Sequence, residues 1–352
     1  MHWKEPLPLD EPHGEKRMYA PFLLWKQTAI RYLLWLSIVF FISGCQPLST
    51  EKITVVGGTL GGGWSAITEG VVNAIRREMP NFAITSEPGH DGANTALVNS
   101  GRVQFGLIHS GVGRLAMAGE YPYQHKLENI RGVSFIYSDS AFHFLVNERL
   151  GISSIEEIRE KKYPLHLSVI YRGSLMEIAS KAALEAYGMS YQDIESWGGK
   201  IFFLSLRTSL AMMKDGRIDA ISVTVQFPQT SITEASLRQD LRILPLTEQA
   251  IEYANTKLGT YRSKIPAGTY SFVKTDIPTF SDTCVLIANA EVEEERVYEV
   301  IGAIFKNLDY LHKVHRALST LTPSDMPRVN DLPLHPGAQR FYREKGVWSG
   351  GQ

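Results

Sequence analysis

Between Ile53 and Met79 the chain passes from a short β-branched run, Ile53-Thr54-Val55-Val56, through a cluster of glycines into a stretch of helical periodicity from Ser65 to Met79. This order of strand, turn and helix constrains the fold most, because it recurs. Phe82 to Ser86, Val103 to Ile108, Phe142 to Val146, Leu165 to Ile170, Ile201 to Leu204 and Ile218 to Val225 read as further strands, several of them separated by helical segments such as Ile178 to Tyr187. Alternation of this kind predicts an α/β fold with mostly parallel sheets. At 352 residues the chain is long enough for two domains of roughly 100–200 residues each. Two apolar strands, Phe142 to Val146 and Cys284 to Ala288, bracket a middle block with its own alternation, as paired crossovers of a discontinuous two-domain protein do. Glu291 to His315 reads as one long amphipathic helix, with Glu293, Glu294 and Glu295 in its first turn and Lys313, His315 and Arg316 at its end. That charge order complements the helix dipole and marks a solvated face.

Composition removes several function classes. Lys and Arg number 36 against 37 Asp and Glu, a net charge of −1, which supplies no global field for nucleic acid. Nucleic acid is therefore not expected as a partner. The two cysteines, Cys45 and Cys284, are too few for a disulfide framework and too far apart for a zinc or CxxC site. Cys284 lies in an apolar run, as a buried small hydrophobe does. Neither GxSxG nor HExxH occurs, and no cofactor is implied.

The first 45 residues form a separate unit. Met1 to Arg17 is polar and without periodicity, so it has no apolar face to bury. Lys26 and Arg31 then precede the apolar run Tyr32 to Ile42, which ends at Ser43-Gly44-Cys45. Charge, apolar core and small residues in that order are a secretory signal, of ordinary length if translation begins at Met18. Ile42-Ser43-Gly44-Cys45 resembles the lipobox of bacterial lipoproteins, which implies that the Cys45 thiol is acylated and anchors the protein in membrane lipid. An uncleaved anchor or a buried core helix are the alternatives. The apolar core of about a dozen residues is short of the roughly 20 a spanning helix needs. Residues 46–52 read as a tether.

Polar chemistry collects at strand ends. Gly57 to Ser65 holds five glycines in nine residues, together with Thr59, Trp64 and Ser65, between a strand and a helix. Glycines such as Gly62 and Gly63 let the backbone approach a ligand, and the free N–H groups of the following helix favour an anion. The spacing is neither GxGxxG nor a P-loop, which argues against a nucleotide. A tight turn with no ligand also uses glycine. A second turn, Pro88 to Asn94, places Gly89, His90, Asp91 and Asn94 after the strand Phe82 to Ser86. His109 follows Val103 to Ile108, and Arg172, Gly173 and Ser174 follow Leu165 to Ile170. Ligands collect at such places in open α/β sheets. Each of these side chains alone reads as an ordinary surface or core residue; their recurrence at equivalent positions marks a site. Asp91 with His90 and His109 has the residue types of a metal site but not its spacing.

From about Ile53 to the C-terminus the chain resembles the TAXI family of extracytoplasmic solute receptors, the binding subunits of TRAP-type secondary transporters. Ile265-Pro266-Ala267-Gly268-Thr269-Tyr270 and the run from Pro333 to Gly346 carry the resemblance most specifically. Gly61-Gly62-Gly63-Trp64, Asp215 to Ala220 and Phe227-Pro228-Gln229 add to it. The resemblance implies a type II periplasmic-binding-protein fold: two α/β lobes, joined by crossover strands, that close on a ligand. It divides the chain into lobe 1 at residues 53–145 and 276–352 and lobe 2 at residues 146–275. It implies no enzyme, and as partners a small-molecule solute, glutamate-like or a dicarboxylate, and a membrane permease. Helix N-termini after Gly63 and Ser174, with Arg172 or Arg114, are expected to receive a carboxylate. Trp64 and Phe227 are expected to pack on the apolar part of the solute beside Gln229, and Asp91 or Glu177 to accept an amino group. An enzyme or a sensory receptor on the same scaffold is the rival reading. The chain departs from the family pattern at Gly89-His90-Asp91, at His109 and at Ser65, where Gly-Gly-Ser, Gln and Tyr are usual.

Overall fold

The computed structural model describes residues 51–60 and 62–350. The signal segment, Cys45, most of the tether and Gly61 lie outside them. The described chain opens with β1 (Lys52–Val56), α1 (Gly63–Glu78), β2 (Ala83–Glu87), α2 (Asp91–Asn99), β3 (Phe105–His109) and α3 (Ser110–Ala118), followed by β4 (Ile130–Asn147). After it come α4 (Glu156–Glu160), β5 (His166–Ser168), α5 (Leu175–Ala186), α6 (Tyr191–Ser196), β6 (Lys200–Phe202), α7 (Leu206–Lys214), β7 (Ala220–Val225), α8 (Thr230–Ser236), β8 (Leu241–Leu244), α9 (Glu248–Leu258) and β9 (Tyr261–Ile265). The return strand β10 (Ile277–Asn289) is followed by α10 (Glu294–Lys306), α11 (Leu308–Val314) and α12 (Pro336–Glu344).

The strands form one sheet in the order β2-β1-β3-β10-β4-β7-β5-β6, with β8 added on β4 and β9 on β10. β1 pairs in parallel with β2 and β3, and β5 in parallel with β6 and β7. β4 and β10 are the crossovers, antiparallel to each other and to their neighbours. Each serves two lobes. The Cys284–Ala288 part of β10 pairs with β3, whereas Ile277–Ser281 pairs with β9. The Ala141–Val146 part of β4 pairs with β7, whereas its earlier residues pair with β10. At the waist Asp139 has a positive φ of 66° and the register shifts between Asp282 and Cys284.

The apolar pattern explains this arrangement. β3 is buried throughout and β1 at every position after Lys52, as strands covered on both faces are. The edge strand β2 is instead polar and only partly buried. One core cluster joins β1, β3, α1 and α10 with Val285 to Ala288, and two others gather β5, α5, β7 and α9 with Phe142, Phe144, Leu145 and Phe280. Each fully buried aliphatic side chain among them contributes about 1.5–3 kcal/mol.

The single helix expected from Glu291 to His315 is two helices, because the Asn307 amide donates back to the Ala303 carbonyl and ends α10. The two runs that carry the resemblance turn out to be structural. His335 caps α12, Pro336 occupies its first turn, and the Tyr342 hydroxyl donates to the Val133 carbonyl at 2.8 Å. A Cβ at Gly337 would lie 2.2 Å from the Glu294 carbonyl oxygen, so only glycine lets α12 pack on α10. Tyr270 accepts from the Gln229 N–H at 3.0 Å and contacts His143 Nε2 at 3.2 Å, tying the β9 to β10 connection to β4.

Candidate functional site

Asp91 is the first residue of α2, and its carboxylate points across to the other lobe. Oδ1 accepts from the His109 backbone N–H and from His109 Nδ1, both at 2.8 Å, while Oδ2 accepts from the N–H of Leu175, the first residue of α5, at 3.2 Å. Both side chains are buried, Asp91 at 3% and His109 at 4% exposure. Burial would raise the Asp91 pKa, but the charge of His109 and the hydrogen bonds from His109 and Leu175 hold it below the usual range. Burial would likewise lower that of His109, and the charge and hydrogen bond of Asp91, with the charge of Asp282, raise it instead. Both shifts favour an imidazolium beside a carboxylate, and in that form His109 Nε2 donates to Ser140 Oγ at 3.0 Å. Trp64 stacks on the imidazolium with ring centroids 5.2 Å apart, and Tyr137 meets it edge-on.

The glycine turn and the end of β5 therefore converge on the Asp91 and His109 pair. The turn Pro88–Asn94 touches the segment after β5: a Cβ at Gly92 would lie 2.5 Å from the Gly173 carbonyl oxygen. Gly173 itself has φ 69°, a conformation that suits glycine. Ser174 caps α5 by accepting from the Glu177 N–H. Glu177 is buried; Oε2 accepts from Tyr121 OH at 2.9 Å and Gly173 N–H at 3.2 Å, and Oε1 has no partner among the described residues. Burial and then the charge of Glu177 push the Tyr121 hydroxyl up to about 12. His90 Nδ1 is also buried without a partner among the described residues.

Four helix N-termini at strand ends can be compared. That of α5 receives Asp91, and α2 carries Asp91 in its own first turn. That of α3 receives Asp282, which accepts from Gly111 N–H at 3.1 Å and Ser110 Oγ at 2.7 Å. Burial raises the Asp282 pKa, opposed by the charge of His109 and by these donors. α1 differs, because Gly62 offers no side-chain cap and its first turn holds no acid. Thr59, Gly62 and Gly63 are exposed beside partly buried Trp64 and Ser65.

Other expected site residues lie elsewhere or act through structure. Arg114 is paired with Asp331 at 3.7 Å, and a Cβ at Gly259 would meet its guanidinium at 3.0 Å. Arg172 is exposed, with its guanidinium 3.6 Å above the Phe203 ring. Asn94 donates to the Gly57 and Leu107 carbonyls under Gly89, so it ties β1 to β3. Phe227 is partly buried beside His143, and Gln229 contributes its backbone N–H to Tyr270. Burial depresses His143 to about 4, so it is neutral. Sequence reasoning missed Tyr121, Tyr137, Ser140 and Asp282; only Asp282, an acid inside an apolar run, carried a signal. Among the described residues no group of three or more His, Cys, Asp or Glu is placed to hold a metal ion.

Residues 55–346 match the NMT1-like family. The chain belongs to that family. Solved structures share its architecture. MatC from Rhodopseudomonas palustris, with bound malate, aligns over 85% of this chain and 99% of its own at a TM-score of 0.53 and 12% identity. XAC2383 from Xanthomonas citri, bound to ATP, aligns over 84% and 97% at a TM-score of 0.50 and 12% identity. This NMT1-like protein thus has the two-lobed fold of solute-binding proteins, with the Asp91 and His109 cluster between its lobes. Among the described residues no helix is long and apolar enough to cross a membrane.

Proposed function

We propose that this NMT1-like protein is the extracytoplasmic solute-binding subunit of a TRAP-type transporter of the TAXI kind. It captures a small carboxylate-bearing solute, of amino-acid or dicarboxylate class, and delivers it to a membrane permease. The observation that carries the reading is the α1 terminus, which is uncapped, free of acid and flanked by Trp64, where a carboxylate gains both N–H donors and a favourable dipole. The Trp64 ring, braced on His109 and by its own Nε1 on Cys284 Sγ at 3.3 Å, gives the solute a fixed apolar wall. Lobe 1 at residues 53–145 and 276–352 and lobe 2 at residues 146–275 close by bending at the waist near Asp139 and Asp282. The solved relatives hold anions, malate in one and ATP in the other, which agrees with an anion in the cleft.

Acylation of Cys45 places the protein at the outer face of the cytoplasmic membrane, and a Cys45→Ser chain moves to the soluble fraction. The function is tested by native mass spectrometry of the mature protein and a thermal-shift panel of amino acids and carboxylates. A bound solute at 100 times its Kd stabilises by about 2.7 kcal/mol. A flat response across the whole panel sinks the anion assignment.

A further inference from the structure

The cations expected at a carboxylate are committed to the protein itself. Arg114 pairs with Asp331, Arg172 covers the Phe203 ring, and His109 is held by Asp91. Arg316 is different. It is exposed at the start of a short 3-10 turn, Arg316–Leu318, that follows α11 and packs against β4, and no acid or aromatic ring partners it among the described residues. The Tyr270 hydroxyl shows where its charge is felt: burial raises that hydroxyl's pKa, while the Gln229 N–H and then the charge of Arg316 lower it. Tyr270 accepts from the Gln229 N–H at 3.0 Å, so the guanidinium is within electrostatic reach of the segment that follows β7.

The residue before Arg316 supplies a donor. His315 Nδ1 accepts from the Ala317 N–H at 3.1 Å, and burial lowers the ring's pKa, so the imidazole is neutral with its proton on Nε2. That nitrogen lies 3.4 Å from where a Cβ on Gly63 would stand, at the start of α1 and one residue before Trp64. It has no acceptor among the described residues. A neutral donor and a full cation, adjacent in the chain, thus reach from the start of α1 toward Tyr270.

We infer that His315 and Arg316 form the seat for the solute's carboxylate: the guanidinium takes it in a bidentate fork, and His315 Nε2–H donates to it from the Trp64 side. This deepens the proposed function and rests on its carboxylate reading. The seat is made of side chains from the segment after α11, not of a helix terminus alone. Arg316 carries its full charge, so a neutral amide of the same shape forfeits the charge-assisted bonds that a carboxylate makes.

Calorimetric titration of the mature protein with succinate and with glutamate, and ring proton NMR of His315 in the same samples, test the inference. At least one of the two is expected to bind and to move the His315 resonance saturably, whereas succinamide, the neutral diamide, does neither. Arg316→Gln is expected to weaken that binding at least about tenfold, and Arg316→Lys, which keeps the charge but not the fork, to fall between. Binding that leaves the His315 resonance still, or that survives Arg316→Gln unchanged, overturns the seat and leaves the carboxylate reading standing. Succinamide binding as tightly as succinate overturns it as well. If neither succinate nor glutamate binds, the seat is overturned, and the thermal-shift panel decides the carboxylate reading separately. Arg316 is exposed, so Arg316→Gln is expected to keep the wild-type melting temperature. Should it not fold, the His315 resonance and the contrast with succinamide in the wild type decide alone.

Discussion

Asp91 takes hydrogen bonds from both lobes, and its worth depends on His109 staying charged. A buried pair is costly to break from one side, because the survivor is left buried without its partner. His109→Ala is expected to lose about 3–5 kcal/mol in urea unfolding, and Asp91→Asn in the same chain to recover part of it. Additive losses from the two changes would show that the pair is not coupled. The pH dependence follows from the two shifts. Asp91, lowered in the folded state, contributes fully above its unfolded value near about 4 and loses that contribution as pH falls through its folded pKa. His109, raised, contributes fully below about 6.5 and loses that contribution as pH rises through its folded pKa. The pair is thus fully effective between about pH 4 and about 6.5. His143 runs the other way: held down to about 4 by burial, it resists protonation and erodes stability as pH falls from about 6.5. Ring proton NMR is expected to show His109 titrating above 6.5 and His143 near 4. A reversed order would remove the imidazolium from the cleft.

At the scale of elements, the meeting of α2 with α5 depends on Gly92. Its Cβ position lies 2.5 Å from the Gly173 carbonyl oxygen, backbone that cannot step aside as a side chain does. Gly92→Ala is expected to cost about 1–3 kcal/mol through overpacking and to weaken solute capture, both readable from urea unfolding and titration. Unchanged capture would mean the turns need not touch. The strands of this region were legible in the sequence, because β1, β3 and β7 are buried on both faces and read as apolar runs. The first half of β4 was not: Arg131, Ser134, Ser138 and Asp139 interrupt its apolar pattern, since that half pairs with β10 at the irregular waist. The break at Asn307 was equally hidden, because hydrophobic periodicity continues through it and only a side-chain hydrogen bond ends α10. Asp91, His109 and Ser174 do lie after the strands where the sequence put them. That Asp91 would occupy the N-terminus of α5 depends on two lobes meeting, which local pattern does not encode.

For the whole molecule, the internal carboxylate changes what closure requires. A receptor whose lobes are bridged only by its solute opens when empty, whereas here Asp91 supplies a bridge of its own from β3 to α5. Tyr121 and Glu177 add a second contact. The solute-free protein is therefore expected to keep a sizeable closed population, with solute shifting an equilibrium already partly toward that state. Asp91→Asn retains the shape but replaces a charge-assisted acceptor with a neutral one, roughly halving the strength of each bond it accepts. Small-angle X-ray scattering of the solute-free mature protein is expected to give a radius of gyration near that of a compact chain, about 19 Å for some 300 residues. Asp91→Asn is expected to be larger and to contract on adding solute, while the wild type contracts little. Equal radii for the two solute-free proteins would mean that the Asp91 bridge does not hold the lobes, and that closure depends on the solute alone.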